Sequence, residues 1–167
     1  MNAMKEIRIE KITFNIGTGE AGSKLDKAVK LLQTLTAQKP VATIAKRRLP
    51  TWGVRPGMTI GAKVTVRKNQ DKVIEKMLQA VGNKLSIKKI GNGEFSFGIP
   101  EYIEIPGAKY DLDIGIIGLG VTVTLERRGF RVKRRSVKKM KIPQRHLISK
   151  EETIEFLKTK FNTKIAD

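Results

Sequence analysis

Apolar residues alternate with polar residues along some stretches of the chain and recur at helical spacing along others. Residues 8–16 and 61–67 alternate, which predicts two strands that each bury one face. Leucine, isoleucine, valine and other apolar residues recur every three or four positions across 25–35, 73–81 and 154–161, which predicts three amphipathic helices. The pattern therefore predicts a protein that mixes sheet and helix.

Turn and capping residues set the bounds of these elements. Ser23 is predicted to cap the first helix, and Pro40 to end it. Ser149 and Glu152 have the spacing of a capping box, which opens the last helix. Proline and glycine recur across residues 46–57, which predicts a loop, called the basic loop below because it carries four cationic residues.

The middle of the chain is predicted to be rich in strands. Residues 85–90, 95–99 and 115–125 have strand composition and are separated by turn signals. Residues 127–143, called the basic segment below, carry no helical stripe. We therefore expect one α+β domain over residues 1–167, a mostly antiparallel sheet with helices packed on one face.

The charge is large and unevenly distributed. The 34 Lys and Arg against 16 Asp and Glu give a net charge of +18, which indicates a polyanionic partner that relieves self-repulsion. Residues 27–70 hold ten cationic and no acidic residues, and residues 127–150 hold eleven and none. A surface that serves only solubility would mix both signs. These two stretches predict two surfaces on one polyanion, or one surface built from both.

Several classes of chemistry are disfavoured. Without cysteine the chain forms no disulfide or thiolate metal site, and His146 is the only histidine. Asp111 and Asp113 are interpreted as surface or turn carboxylates, so no catalytic group, metal site or cofactor is expected. The longest nearly apolar run, 114–125, is too short to cross a bilayer. We expect a cytoplasmic protein without a membrane partner or small-molecule substrate.

One motif suggests a different class of protein. Gly17, Gly19 and Gly22 follow a predicted strand and precede a helix, as in dinucleotide-binding enzymes. The acidic residue that would bind the ribose about 20 positions on is missing, and the strand–helix alternation does not continue. A glycine turn that leads into a helix is the better interpretation.

Polar groups on the predicted sheet point to RNA. Lys63, Thr65 and Arg67 share the outer face of one strand, and Asn15 has the same outward phase on another. Such a row can follow a phosphate backbone, so the exposed sheet face and the loops are expected to bind RNA. The alternative is an ordinary solvated strand face. Gln38, just past the first helix, is a further candidate.

An aromatic residue and a run of arginines add to this prediction. Trp52 lies in the basic loop between Arg48 and Arg55, a setting that favours stacking on an unpaired base. The alternative is a hydrophobic plug under the loop. The basic segment is predicted to contact RNA phosphates, unless it is a disordered tail or a signal-like tract. The residues predicted for this contact are Arg127, Arg128, Arg131, Lys133, Arg134 and Arg135.

The order of several motifs resembles a known family. The stretches 10–19, 37–41, 52–67, 95–99 and 110–116 resemble ribosomal protein five of the large subunit, a 5S rRNA-binding family. The basic segment, followed by residues 150–156, resembles its archaeal branch. The resemblance implies a structural, non-enzymatic protein that attaches 5S rRNA to the large-subunit rRNA in the central protuberance.

The resemblance also implies partners and site residues. Asn15, Gln38, Trp52 and Thr65 match positions that bind 5S rRNA, although Trp52 stands where relatives often carry Phe. The side formed by residues 91–113 resembles the part that meets a small-subunit head protein and forms an intersubunit bridge. Two rivals stay open, a nucleotide-binding enzyme that uses the glycine turn and a nonspecific RNA chaperone. The basic loop resembles one that approaches peptidyl-site tRNA, through Lys46, Arg47, Arg48 and Arg55.

Overall fold

A six-stranded sheet forms the centre of the molecule. The computed structural model describes residues 2–19 and 22–166. The strands lie in the order β2-β3-β1-β7-β6-β5, and every neighbouring pair is antiparallel. This confirms the predicted α+β class. The strands of this sheet are β1 (Ile7–Gly17), β2 (Val41–Ile44), β3 (Thr59–Val66), β5 (Ile90–Gly91), β6 (Glu94–Ile99) and β7 (Leu119–Arg127).

The longer helices cover one face of this sheet. They are α1 (Ser23–Thr36), α2 (Gln70–Ala80) and α4 (Lys150–Phe161), whereas the single turn α3 (Arg131–Arg134) lies against the opposite face, where Arg134 pairs with Glu126 of β7. Leu32 of α1 and Ile74 of α2 are fully buried in one cluster with Phe14 of β1 and Leu157 of α4. Burial of such side chains supplies about 1.5–3 kcal/mol each, so the apolar periodicity fixes which sheet face the helices cover.

A second, two-stranded sheet lies outside the main one. Strand β4 (Lys84–Ser86) pairs in parallel with β8 (Lys164–Ala166). Leu85 is buried against the main core. The chain that follows α4 is therefore held against the connection that follows α2.

Several predicted bounds were wrong. Ser23 is the first residue of α1, whereas Gly22 holds the cap position without a side-chain hydrogen bond. The strand predicted over 85–90 is interrupted by a 3-10 turn at Ile87–Lys89. The strand predicted over 115–125 begins only at Leu119. The basic segment contains α3, a helix too short to have an apolar stripe. The capping box at Ser149 and Glu152 is confirmed.

The glycine turn has no dinucleotide-binding surroundings. Gly17 ends β1, and Glu20 and Ala21 of the motif lie outside the described residues. Both neighbours of β1, β3 and β7, run antiparallel to it. A dinucleotide-binding unit requires adjacent parallel strands joined by the helix. The enzyme alternative therefore lacks its structural basis.

Candidate nucleic-acid interface

The sheet face opposite the helices is polar and uncovered over much of its area. On β3, Ala62, Val64 and Val66 are buried, whereas Lys63 is exposed and Thr65 half-buried, as predicted. Asn15 pairs with Lys63 across β1 and β3. Two of the predicted RNA-binding residues therefore lie side by side, and Arg67 is exposed just beyond the strand.

A row of hydroxyl groups crosses four strands of the same face. Thr65 of β3 pairs with Thr13 of β1, Thr13 with Thr122 of β7, and Thr122 with Ser96 of β6. Each hydroxyl can donate and accept hydrogen bonds. Sequence reasoning proposed only Thr65 of this row, because the register between strands is not visible in the sequence. Lys63, Thr65, Thr13, Asn15, Thr122 and Ser96 are called the exposed face below.

The basic loop projects from the edge of the sheet beside this face. It is folded back on itself by a bridge between Leu49 and Val54, and Val54 is buried beneath it. Val54 is therefore the hydrophobic plug under the loop, the alternative role that was considered for Trp52. Trp52 itself is 74% exposed. The four cations predicted for this loop are all exposed, and none has an ion pair with a described carboxylate. They are Lys46, Arg47, Arg48 and Arg55.

Gln38 lies at the same edge of the sheet. It is half-buried in the connection between α1 and β2. Three residues later, Val41 pairs with Lys63, which in turn pairs with Asn15. The topology therefore places the chain that leads from Gln38 into β2 at the edge of the exposed face.

Arg127 does not fit its predicted role. Its side chain is 5% exposed, and its Nη2 lies 2.5 Å from Oε1 of Glu152 on α4. Nη1 also donates to the carbonyl oxygens of His146 and Leu147. This guanidinium joins β7 to the chain that leads into α4. Its burial leaves no surface for a phosphate, which corrects the prediction.

Glu152 is held in its charged form by this arrangement. The backbone N–H of Ser149 donates to its Oε2 at 3.0 Å and lowers the pKa of Glu152, and the hydrogen bond from Arg127 adds to the effect. The predicted capping box therefore also positions the anion that neutralises Arg127.

Arg134 is also paired within the protein. Its Nη1 lies 2.5 Å from Glu10 on β1, and its Nη2 lies 2.6 Å from Glu126 on β7. Glu126 is only 6% exposed and also pairs with Arg8 at 2.6 Å. Two carboxylates therefore hold α3 against the sheet and offset the charge of Arg134.

The other predicted cations of the basic segment are on the surface. Arg128 is exposed and lies 3.6 Å from Glu6. The Nε of Arg135 donates to the carbonyl oxygen of Lys138 at 2.8 Å. Arg131 and Lys133 are exposed and have no ion pair with any described carboxylate. The basic segment therefore presents fewer free charges than its sequence indicates.

A different surface lies on the opposite side of the molecule. Leu112, Ile116 and Tyr110 are exposed there, with Leu112 at 83%. The Nζ of Lys30 on α1 lies 3.0 Å from Asp111, and this hydrogen bond lowers the pKa of Asp111 and raises that of Lys30. The surface carboxylate inferred from the sequence thus ties this loop to α1.

Neither a membrane span nor a metal cluster is found in the described part of the chain. None of its helices is long and apolar enough to cross a bilayer. Within residues 2–19 and 22–166, no group of three or more His, Cys, Asp or Glu could hold a metal ion.

Comparison with known proteins places the chain in a family. Residues 2–55 match the family described as ribosomal protein L5, and residues 59–162 match the family described as the C-terminus of the same ribosomal proteins. The large ribosomal subunit protein uL5 of Nanoarchaeum equitans is 51% identical over 97% of both chains. The uL5 of Sulfurisphaera tokodaii is 51% identical over all of this chain and 96% of its own.

The similarity extends to other archaea. The uL5 of Methanococcus vannielii is 46% identical over 97% of this chain and 92% of its own. These names describe ribosomal proteins and not enzymes. The two family matches together extend from residue 2 to residue 162. The chain therefore belongs to the ribosomal protein L5 family and is of the archaeal type.

Proposed function

We propose that this protein binds 5S rRNA with its exposed face and attaches it to the large-subunit rRNA in the central protuberance. The general role follows from the family: the protein is a structural constituent of the large subunit of cytoplasmic ribosomes. The family consists of structural proteins rather than enzymes. RNA binding and a role in translation follow from the same membership.

The observation that carries the proposal is the composition of the exposed face. The central part of the uncovered sheet face combines the hydroxyl row with Asn15 and Lys63, whereas the exposed carboxylate of Glu94 lies at the start of β6. Amide and hydroxyl groups bind base edges and ribose hydroxyls, and Lys63 binds phosphate. Such a face suits an RNA with irregular or single-stranded features better than a uniform duplex.

Trp52 extends this surface beyond the sheet. Its exposed ring lies among four free cations of the basic loop. A base stacked on an aromatic ring contributes about 1–3 kcal/mol to binding. The ring of Trp52 is therefore the group on which we expect an unpaired base of 5S rRNA to stack.

A direct test compares two RNAs. Affinity for 5S rRNA is measured against an unrelated duplex of equal length at about 150 mM salt, where nonspecific charge attraction is screened. We expect 5S rRNA to bind at least about a thousandfold more tightly, within the range of specific complexes. Equal affinities would instead support a nonspecific RNA chaperone.

A point variant examines the exposed face itself. Thr65→Ala should weaken 5S binding several-fold, because it removes one hydroxyl of the row that forms the proposed site. Thr36→Ala is a suitable control, since Thr36 donates to the carbonyl oxygen of Leu32 within α1 on the other side of the sheet. If Thr65→Ala binds as the wild type does, the site is not on this face.

Two further contacts are proposed for surfaces outside the sheet. The basic loop is proposed to approach peptidyl-site tRNA, because its cations are exposed without an ion pair among the described residues and it projects from the sheet edge. The side formed by residues 91–113 is proposed to meet a small-subunit head protein and form an intersubunit bridge. Exposed apolar residues within it, including Leu112, support a protein partner there. Cross-linking within assembled ribosomes tests both contacts.

A further inference from the structure

A cavity lies where the basic segment meets the sheet. Its volume is about 600 Å³. It is lined by Thr124 of β7 and by Lys133 and Arg134 of α3, so both predicted RNA-binding regions contribute to it. We propose that this cavity binds one unstacked nucleotide of the RNA that lies along the exposed face. This inference rests on the proposed function and adds a site to it.

The cavity offers apolar surface for a base. Phe130, Leu147 and Ile148 line it. The ring of Phe130 packs edge-on against the imidazole of His146, with the ring centroids 5.7 Å apart. Unpaired bases in RNA are commonly recognised by an aromatic ring on one face and polar groups at their edges. The volume lies within the range of about 300–1,000 Å³ that is usual for small-molecule sites.

Polar groups that suit a nucleotide line the same cavity. Asn92 and Gln144 are exposed, and within the described residues neither side-chain amide has a hydrogen-bond partner. An amide offers both a donor and an acceptor to a base edge. Lys133 supplies an ammonium for the phosphate. Glu94 also lines the cavity, and its carboxylate can accept a hydrogen bond from the amino group of a base.

The cavity is already formed in the free protein because α3 is anchored. Arg134 is held by Glu10 and Glu126, and both carboxylates belong to strands of the sheet. A nucleotide would therefore not have to order α3 on binding, which removes an entropic cost of association. The two carboxylates also neutralise Arg134, so that Lys133 is the free cation of α3 at the cavity.

Filling the cavity tests the inference. Thr124 pairs with Lys11 and Glu94 on the uncovered side of β7, and phenylalanine is well tolerated in strands. We expect Thr124→Phe to keep its melting temperature and to bind 5S rRNA about tenfold more weakly, as expected for the loss of one stacked base. Gln144→Trp fills the cavity from the 3-10 turn (Gln144–His146) that follows the basic segment, and it should have the same effect if Thr124→Phe does not fold.

The matched control is Thr159→Phe, which adds the same aromatic ring at an exposed position of α4 outside the cavity. It should bind as the wild type does, whereas a loss equal to that of Thr124→Phe would overturn the inference. Wild-type affinity in both filled variants would also overturn it and would leave the proposed function intact. If the wild type does not prefer 5S rRNA over the duplex, the proposed function fails, and this inference fails with it.

Discussion

The basic loop and the basic segment are both rich in Lys and Arg, but their charges have different surroundings in the folded protein. Each lies in a stretch without acidic residues. In the loop, Trp52 and four cations are exposed, and the cations have no ion pair with a carboxylate of the described residues. In the segment, Arg127 and Arg134 are bonded to carboxylates from β1, β7 and α4. The absence of acids nearby in sequence therefore does not show that a cation is free to bind RNA.

The physical reason lies in tertiary structure. The partners of Arg134 include Glu10, which is 124 positions away in the sequence. A cation brought against such a carboxylate attaches one element to another, and its field is largely cancelled. The basic segment thus combines structural arginines with a smaller number of free cations, whereas the loop retains its whole charge.

The largest expected effect concerns Arg127. Arg127→Ala should lower the free energy of unfolding by about 3 kcal/mol, the lower end for breaking a buried ion pair, since Glu152 is 40% exposed. Arg131→Ala is the control from the same segment and should change stability by less than about 0.5 kcal/mol. Denaturant unfolding measures both. Equal effects would show that the two arginines do not differ in role.

A variant of Trp52 tests whether the basic loop binds RNA. Trp52→Ala should weaken 5S binding about tenfold, because one stacked base is lost, and should leave the melting temperature unchanged, since the ring is exposed. Trp52→Phe keeps an aromatic ring and should retain most of the affinity. If both variants bind equally weakly, the indole itself rather than stacking matters; if neither loses affinity, the loop does not touch 5S rRNA.

A smaller effect is expected for the free cation of the exposed face. Lys63→Ala should reduce the slope of log affinity against log salt by about 0.7–0.9, as expected for one lost phosphate contact. Lys158→Ala removes an exposed cation of α4, on the helical side of the sheet, and should leave the slope unchanged. A slope that falls equally in both variants would mean that only total charge matters.

The smallest expected effect is on acid stability. The pKa of Glu152 is lowered in the folded protein from its ordinary value of 4.5, chiefly by the N–H of Ser149. A carboxylate with a lowered pKa stabilises the fold above its ordinary pKa, and this contribution is lost as the pH falls through the folded value. The free energy of unfolding should therefore fall less steeply below pH 5 for Glu152→Gln than for the wild type. Identical profiles would contradict the assignment.

The sequence predicted what depends on local periodicity. Alternation along β3 identified both the buried Val64 and the outward Lys63, because adjacent residues in a strand face opposite sides. The spacing of Ser149 and Glu152 predicted a cap that needs only four residues. These features do not depend on which strand lies beside which.

The features that were missed depend on pairing. Thr13, Thr122 and Ser96 join Thr65 only through the register of four strands. The role of Arg127 depends on Glu152, which reaches it only after α4 has packed. Nothing in the composition of the basic segment distinguishes Arg127 from Arg131, because burial is decided by the rest of the chain.

The position of β1 has a consequence for the order of folding. On one side β1 pairs with β3, whereas on the other it pairs with β7, where Ile7 meets Arg127. During synthesis the second edge of β1 stays uncovered for about 100 further residues, because β1 ends at Gly17 and β7 begins only at Leu119. Pairings this distant form slowly, and an open edge favours aggregation. We therefore expect the nascent chain to be most vulnerable between the emergence of β3 and that of β7.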